Sequence, residues 1–244
     1  MTNKYMYFIA NWKMFGGLNS LNSLHKVNKF FKTFKKKSTK IIYCPPSTLI
    51  RPMSKKLKKS KIEVGAQNCH EHETYGAFTG SINATMLKNV GAKYVIIGHS
   101  ENRQAGETDR LVNLKVKSAL KSRLKIIFCI GETLSEKRKK ITKKVLTKQL
   151  RLGLNKIKDK KNILIAYEPV WSIGTGLIPK SNELIDTINF IKKKHRRYKV
   201  LYGGSVNSKN ISELRLINSL DGFLIGGASQ DPNKFIDIIK KTYS

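Results

Sequence analysis

Eight short apolar runs, separated by stretches of helical periodicity, predict a single (β/α)8 barrel, class α/β, for this 244-residue chain. The runs fall at 5–10, 40–44, 62–66, 94–97, 126–130, 163–167, 200–202 and 222–225 and are rich in Ile, Val, Tyr and Phe. They are near-continuous rather than alternating, as in strands buried on both faces of a parallel sheet. The length is close to the about 250 residues usual for such a barrel. No linker or sharp change in composition divides the chain, so residues 1–244 are read as one domain. A doubly wound open sheet is the structural alternative. No G-x-G-x-x-G follows the first run, which weakens its dinucleotide-binding form.

The intervening stretches carry the helices. Residues 18–34 place Leu21, Leu24, Val27, Phe30 and Phe31 at helical spacing, and 112–120 do the same with Val112, Val116, Ala119 and Leu120. Stretches 141–157, 183–194, 208–216 and 232–240 behave alike.

Composition excludes several function classes. Net charge is +32, from 48 Lys+Arg against 16 Asp+Glu, which raises the question of an anionic partner. The lysines are dispersed, with runs at 35–37, 55–61, 137–144 and 192–194, mostly on the polar side of helical patterns. That is a solvated surface and a compositional bias shared with abundant Asn and Ile, so no specific nucleic-acid partner is expected. Three cysteines without C-x-x-C spacing argue against a disulfide framework or a zinc site. The run at 5–10 is too short for a secretory leader, and no stretch reaches the about 20 apolar residues of a membrane span. The expectation is a cytoplasmic protein with no membrane partner.

In a barrel the chemistry gathers where strands end. The first run ends in Asn11-Trp12-Lys13, the fourth in Gly98-His99-Ser100-Glu101, the fifth in Gly131-Glu132 and the sixth in Glu168. The seventh leads into Gly203-Gly204-Ser205 and the eighth into Gly226-Gly227-Ala228-Ser229. A lysine, a histidine and a carboxylate would thus converge from three strands. Glycine turns after strands seven and eight are where barrels commonly hold a phosphate.

The stretch 165–176 is the most informative. Pro169 stops any helix after Glu168. Trp171 and Ile173 place apolar bulk on a loop that ends in Gly174-Thr175-Gly176. A carboxylate at a strand end followed by such a loop reads as a base beneath a closing lid.

Asn11-Trp12-Lys13, 97–101, 166–176, Tyr202-Gly203-Gly204-Ser205-Val206 and Gly226-Gly227-Ala228-Ser229 together resemble, in order and in spacing, the signatures of the triosephosphate isomerase family. The resemblance runs from end to end and implies a TIM barrel and a glycolytic and gluconeogenic isomerase. It implies interconversion of dihydroxyacetone phosphate and D-glyceraldehyde 3-phosphate through an enediolate, with no cofactor and no metal. Carried over, Glu168 is the base, His99 the electrophile that moves protons between the oxygens, and Lys13 the cation that stabilises the enediolate. Asn11 places substrate oxygens. Gly174, Ser205, Gly226 and Gly227 bind the phosphate. Glu101 partners Lys13, and Ser100 contacts Glu168 when the lid is open. Glu132 is read as structural, an ion-pair partner of Arg103.

The resemblance also implies a homodimer, with residues 68–82 crossing to the second subunit and Thr79 near its site. Here the chain departs from the family: Ser81 replaces an acidic residue, Asn102 replaces an arginine, and the segment between Arg103 and Gly106 is one residue short. The two missing charges would otherwise pair, so their joint loss is self-compensating. Another phosphate-binding barrel isomerase or epimerase is the alternative. It would share the late glycine turns but not the combination of Asn11, Lys13, His99 and Glu168.

Overall fold

A computed structural model describes residues 5–36 and 38–244; Lys37, part of one lysine run, and residues 1–4 lie outside the described residues. Among the described residues, eight parallel strands pair in chain order. They are β1 (Met6–Asn11), β2 (Thr39–Cys44), β3 (Glu63–Ala66), β4 (Tyr94–Ile97), β5 (Lys125–Ile130), β6 (Ile163–Tyr167), β7 (Lys199–Tyr202) and β8 (Gly222–Ile225). Pairing of β8 with β1, with Ile9 opposite Leu224, closes the barrel.

Strand periodicity divides the apolar residues into two cores. Ile9, Ile42, Ile96, Ile127, Leu164, Ala166, Leu201 and Leu224 pack inside the barrel. Their neighbours, such as Phe8, Ile41, Val95, Phe128 and Ile165, face outward onto the helices. Both sets are buried because helices cover the outside, so a continuous apolar run is the required sequence pattern. The alternation also aims the site. Leu164 and Ala166 point inward, and two residues on, Glu168 keeps that direction at the barrel mouth.

The helices follow the sequence reading with several differences, among them short helices over Ala84–Asn89 and Leu134–Arg138 that periodicity had not marked. The 18–34 stretch begins as a 3-10 turn, Leu18–Ser23, and becomes α1 only over Leu24–Thr33. A helix that periodicity had not marked, α2 (Ser47–Lys56), forms between β2 and β3 on three buried anchors, Leu49, Ile50 and Met53, despite Pro52. The helix expected over 208–216 is a single turn, Ile211–Leu214. The long helices Asp109–Lys121, Thr142–Gly153, Ser181–Lys194 and Pro232–Tyr243 lie where their apolar spacing put them.

At the opposite end of the barrel, Glu63 at the start of β3 is held by two lysines. Its carboxylate lies 2.5 Å from Lys40 Nζ and 3.2 Å from Lys93 Nζ. Burial alone would lift its carboxyl, but the hydrogen bonds and charges of the two ammonium groups outweigh it and hold the pKa below the ordinary value. No helix among the described residues is long and apolar enough to cross a membrane.

Candidate active site

The C-terminal ends of the strands surround a cavity of about 350 Å³. Asn11, Lys13, His99, Glu168, Gly174, Ser205, Gly226 and Gly227 all line it, so every site residue marked in the sequence faces one space.

Glu168 follows β6 directly and is 3% exposed. Its Oε1 lies 3.6 Å from His99 Nε2, outside hydrogen-bond distance. Its Oε2 has no hydrogen-bond partner among the described residues. Leaving a buried carboxylate oxygen unpaired is costly, so a site that keeps one reserves it for a group that arrives later. Gly203 makes room for this placement: a Cβ there would lie 2.6 Å from Glu168 Cγ. In this arrangement no hydrogen bond among the described residues joins Glu168 to Ser100.

His99 is the N-cap of a short helix, Ser100–Gln104, and its Nδ1 accepts the Glu101 N–H at 3.2 Å. A ring nitrogen that accepts carries no proton. The imidazole is therefore neutral in this bonding pattern and offers Nε2–H to the cavity. The Glu101 carboxylate, 3.6 Å from Nδ1, is too far to take that place.

Lys13 sits two residues beyond β1 in a left-handed conformation with φ +54°. Three contacts hold it there. Its N–H donates to Asn11 Oδ1 at 3.1 Å, its carbonyl accepts from Gln67 Nε2 at 2.8 Å, and its ammonium meets Glu101 Oε1 at 2.6 Å. Such strain in a residue with a side chain is tolerated where a functional geometry is over-determined. Asn11 thus positions Lys13 as well as facing the cavity, a role its place in the sequence did not reveal.

The loop after Glu168 lies over the cavity. Its first turn, Val170–Ser172, is 3-10 helix. Trp171 Nε1 donates to Glu132 Oε1 at 3.0 Å, and Lys137 Nζ stands 3.9 Å from the indole centroid. Tyr167 OH also donates to Glu132, at 3.1 Å to Oε2. Burial pushes the Glu132 carboxyl above its usual range, against the pull of these hydrogen bonds. This corrects the expected Glu132–Arg103 pair. Arg103 instead donates to the Gly98 carbonyl at 2.8 Å and to Asp109 Oδ1 at 2.7 Å, and Glu132 anchors the base of the loop. Farther along, Gly176 N–H donates to Ser205 Oγ at 3.1 Å. Ser205 Oγ in turn donates to the Ser172 carbonyl at 2.7 Å. The Ser205 hydroxyl is thus committed to the loop.

Sequence reasoning passed over Asn207 and Gln230, which also line the cavity. Asn207 organises the turn after β7 by accepting the Asn210 N–H, and Gln230 donates to the Trp12 carbonyl at 3.2 Å. Neither residue type carries a signal outside the folded context.

Comparison with known proteins agrees with this geometry. The triosephosphate isomerase family model matches residues 6–242. The chain is similar to the triosephosphate isomerase of Ruthia magnifica subsp. Calyptogena magnifica, 42% identical over 213 residues, 83% of this chain and 86% of that protein. It is 40% identical over 233 residues to that of Gloeothece citriformis, 94% of this chain and 96% of that protein. Among solved structures, triosephosphate isomerase from Bartonella henselae superposes with a TM-score of 0.89 at 36% identity, covering 98% of this chain and all of that one. A barrel closed in chain order, one cavity gathering the predicted side chains, and a family match over almost its whole length agree: this chain belongs to the triosephosphate isomerase family.

Proposed function

We propose that this chain interconverts dihydroxyacetone phosphate and D-glyceraldehyde 3-phosphate by proton transfer through an enediolate. Glu168 removes a proton from the carbon beside the carbonyl. The electron pair moves onto the carbonyl oxygen, where His99 Nε2–H and the Lys13 ammonium stabilise the charge. His99 relays protons between the two oxygens, and Glu168 returns its proton to the neighbouring carbon. Asn11 positions the oxygens. Gly174, Ser205, Gly226 and Gly227 hold the phosphate, largely through the backbone N–H groups of the glycines, and its binding energy keeps the loop closed over the reacting end.

The observation that carries this reading is the buried Glu168 carboxylate, one oxygen unpaired, beside a His99 whose remaining N–H faces the same cavity. A base and an electrophile so placed side by side in the wall of one cavity suit proton abstraction next to a carbonyl. The alternative, another phosphate-binding barrel isomerase or epimerase, lacks support from any separate observation.

The working form is a homodimer. Tyr75 and Phe78 on the 68–82 loop are 67% and 41% exposed, and Met14 is fully exposed, which supports a second copy as the cover. The setting is the cytoplasm, in keeping with three free, buried cysteines.

A coupled assay for conversion of glyceraldehyde 3-phosphate, run without added metal on the wild type and Glu168→Gln, tests the proposal. Fast wild-type turnover and a loss of at least about 10²–10⁴-fold in the variant is the expected result. Equal activity in both proteins would remove Glu168 from the mechanism, and an inactive folded wild type would overturn the reaction itself.

A further inference from the structure

Ser172 stands out in the loop over the cavity. Residues 174–177 are exposed, yet Ser172 is fully buried. A polar side chain at that depth has to satisfy its hydroxyl, and this one uses its full capacity. Ser172 Oγ donates its only proton to the Leu177 carbonyl. Its two lone pairs then face Tyr202 OH at 3.1 Å and the Ser205 N–H at 3.5 Å. The Ser172 carbonyl adds a further tie by accepting from Ser205 Oγ at 2.7 Å. Burial pushes the Tyr202 hydroxyl up to about 12, so it remains a donor across the working range. Gly204 keeps this junction open, because a Cβ there would come 2.2 Å from Tyr202 Oη and 2.7 Å from Ser172 Oγ.

We infer that Ser172 is a positioning residue for the isomerisation: its hydroxyl locks both ends of the 172–177 loop onto the turn after β7. It touches no reacting atom. It acts by holding the loop against Ser205, which sets where Gly174 meets the phosphate. The inference rests on the proposed reaction for its kinetic consequence, but the lock itself is a property of the free protein.

The test uses Ser172→Ala, Tyr202→Phe and the double variant, read by amide hydrogen exchange of residues 173–177 and by steady-state kinetics. Losing these hydrogen bonds should raise exchange across the loop roughly tenfold in Ser172→Ala. KM for the triose phosphate should rise by a similar factor, with a smaller fall in kcat and an unchanged thermal midpoint. Tyr202→Phe should give a smaller rise, and the double variant should resemble Ser172→Ala rather than the product of the two, because both cut the same junction. Unchanged exchange in Ser172→Ala would overturn the lock. Raised exchange with unchanged KM would overturn its role in positioning. If the wild type proved inactive on triose phosphates, the exchange result would still decide the lock, while the proposed reaction alone would fail.

Discussion

Glu168 Oε1 and His99 Nε2 stand 3.6 Å apart, both side chains only 4% exposed, with no hydrogen bond between them. A base and an electrophile already bonded to each other would have to part before reacting. Held just beyond bonding distance, each keeps its free valence for the substrate. Replacing His99 by Ala should therefore remove a donor to the developing oxyanion and lower kcat by about 10²–10³-fold, the usual effect of losing one such donor. KM should change little, because the contact strengthens chiefly in the transition state. Steady-state kinetics in both directions will check this, and a change confined to KM would contradict it.

Gly203 backs directly onto Glu168, with room for no more than hydrogen at its α-carbon. Gly203→Ala should push the carboxylate off its line of attack while leaving the barrel folded. A displacement near 1 Å can cost about 10²-fold in rate. The expected outcome is a fall in kcat of that order with a circular dichroism spectrum like the wild type's.

Lys13 holds φ at +54°, which costs a residue with a side chain about 1–2 kcal/mol. Lys13→Gly relieves that strain, though glycine's greater freedom in the unfolded chain returns about 0.5–1 kcal/mol of it. Urea unfolding should find the variant at least as stable as the wild type, and the coupled assay should find it nearly inactive. A clear loss of stability would mean that the Glu101 ion pair outweighs the backbone strain.

Glu63 ties acid stability to two lysines. Its carboxyl titrates below its ordinary value of 4.5 in the fold because the hydrogen bonds and charges of Lys40 and Lys93 outweigh burial. The stability it contributes is therefore fully present above that ordinary value and is lost as pH falls through the lower, folded value. Glu63→Gln should be less stable than the wild type by about 1–2 kcal/mol at neutral pH, between the figures for exposed and buried pairs. The gap should close in acid. Urea titrations at a series of pH values will show it, and a gap independent of pH would refute the assignment.

The strands were legible because each must satisfy two cores at once, and only a continuous apolar run can do so. Glu168 was legible for the same reason: it is the first charge after such a run and continues the inward alternation of Leu164 and Ala166. The α2 helix was not legible, because three buried anchors in ten residues, with Pro52 inside, make a weak periodic signal that tertiary packing overrides. The partner of Glu132 was misread for a related cause. Charge complementarity pointed to Arg103, yet the fold gives Glu132 two neutral donors, Trp171 and Tyr167. Ser172 shows the limit most plainly. Its partners are adjacent only after the loop folds back onto β7, and a serine in a loop has nothing in its spacing to announce that.

Closure of the barrel has a consequence during biosynthesis. Asn11 ends the first strand, Gly226 and Gly227 follow the last, and β1 pairs with β8. The cavity therefore lacks its last glycine turn until Gly227 has left the ribosome. At about 5–20 residues per second, Asn11 waits on the order of tens of seconds for its counterpart. Throughout that interval the edge of β1 that will meet β8 stays unpaired on a largely apolar strand, a natural binding site for a chaperone. The appearance of enzyme activity on a nascent chain would mark the moment at which the eighth strand docks.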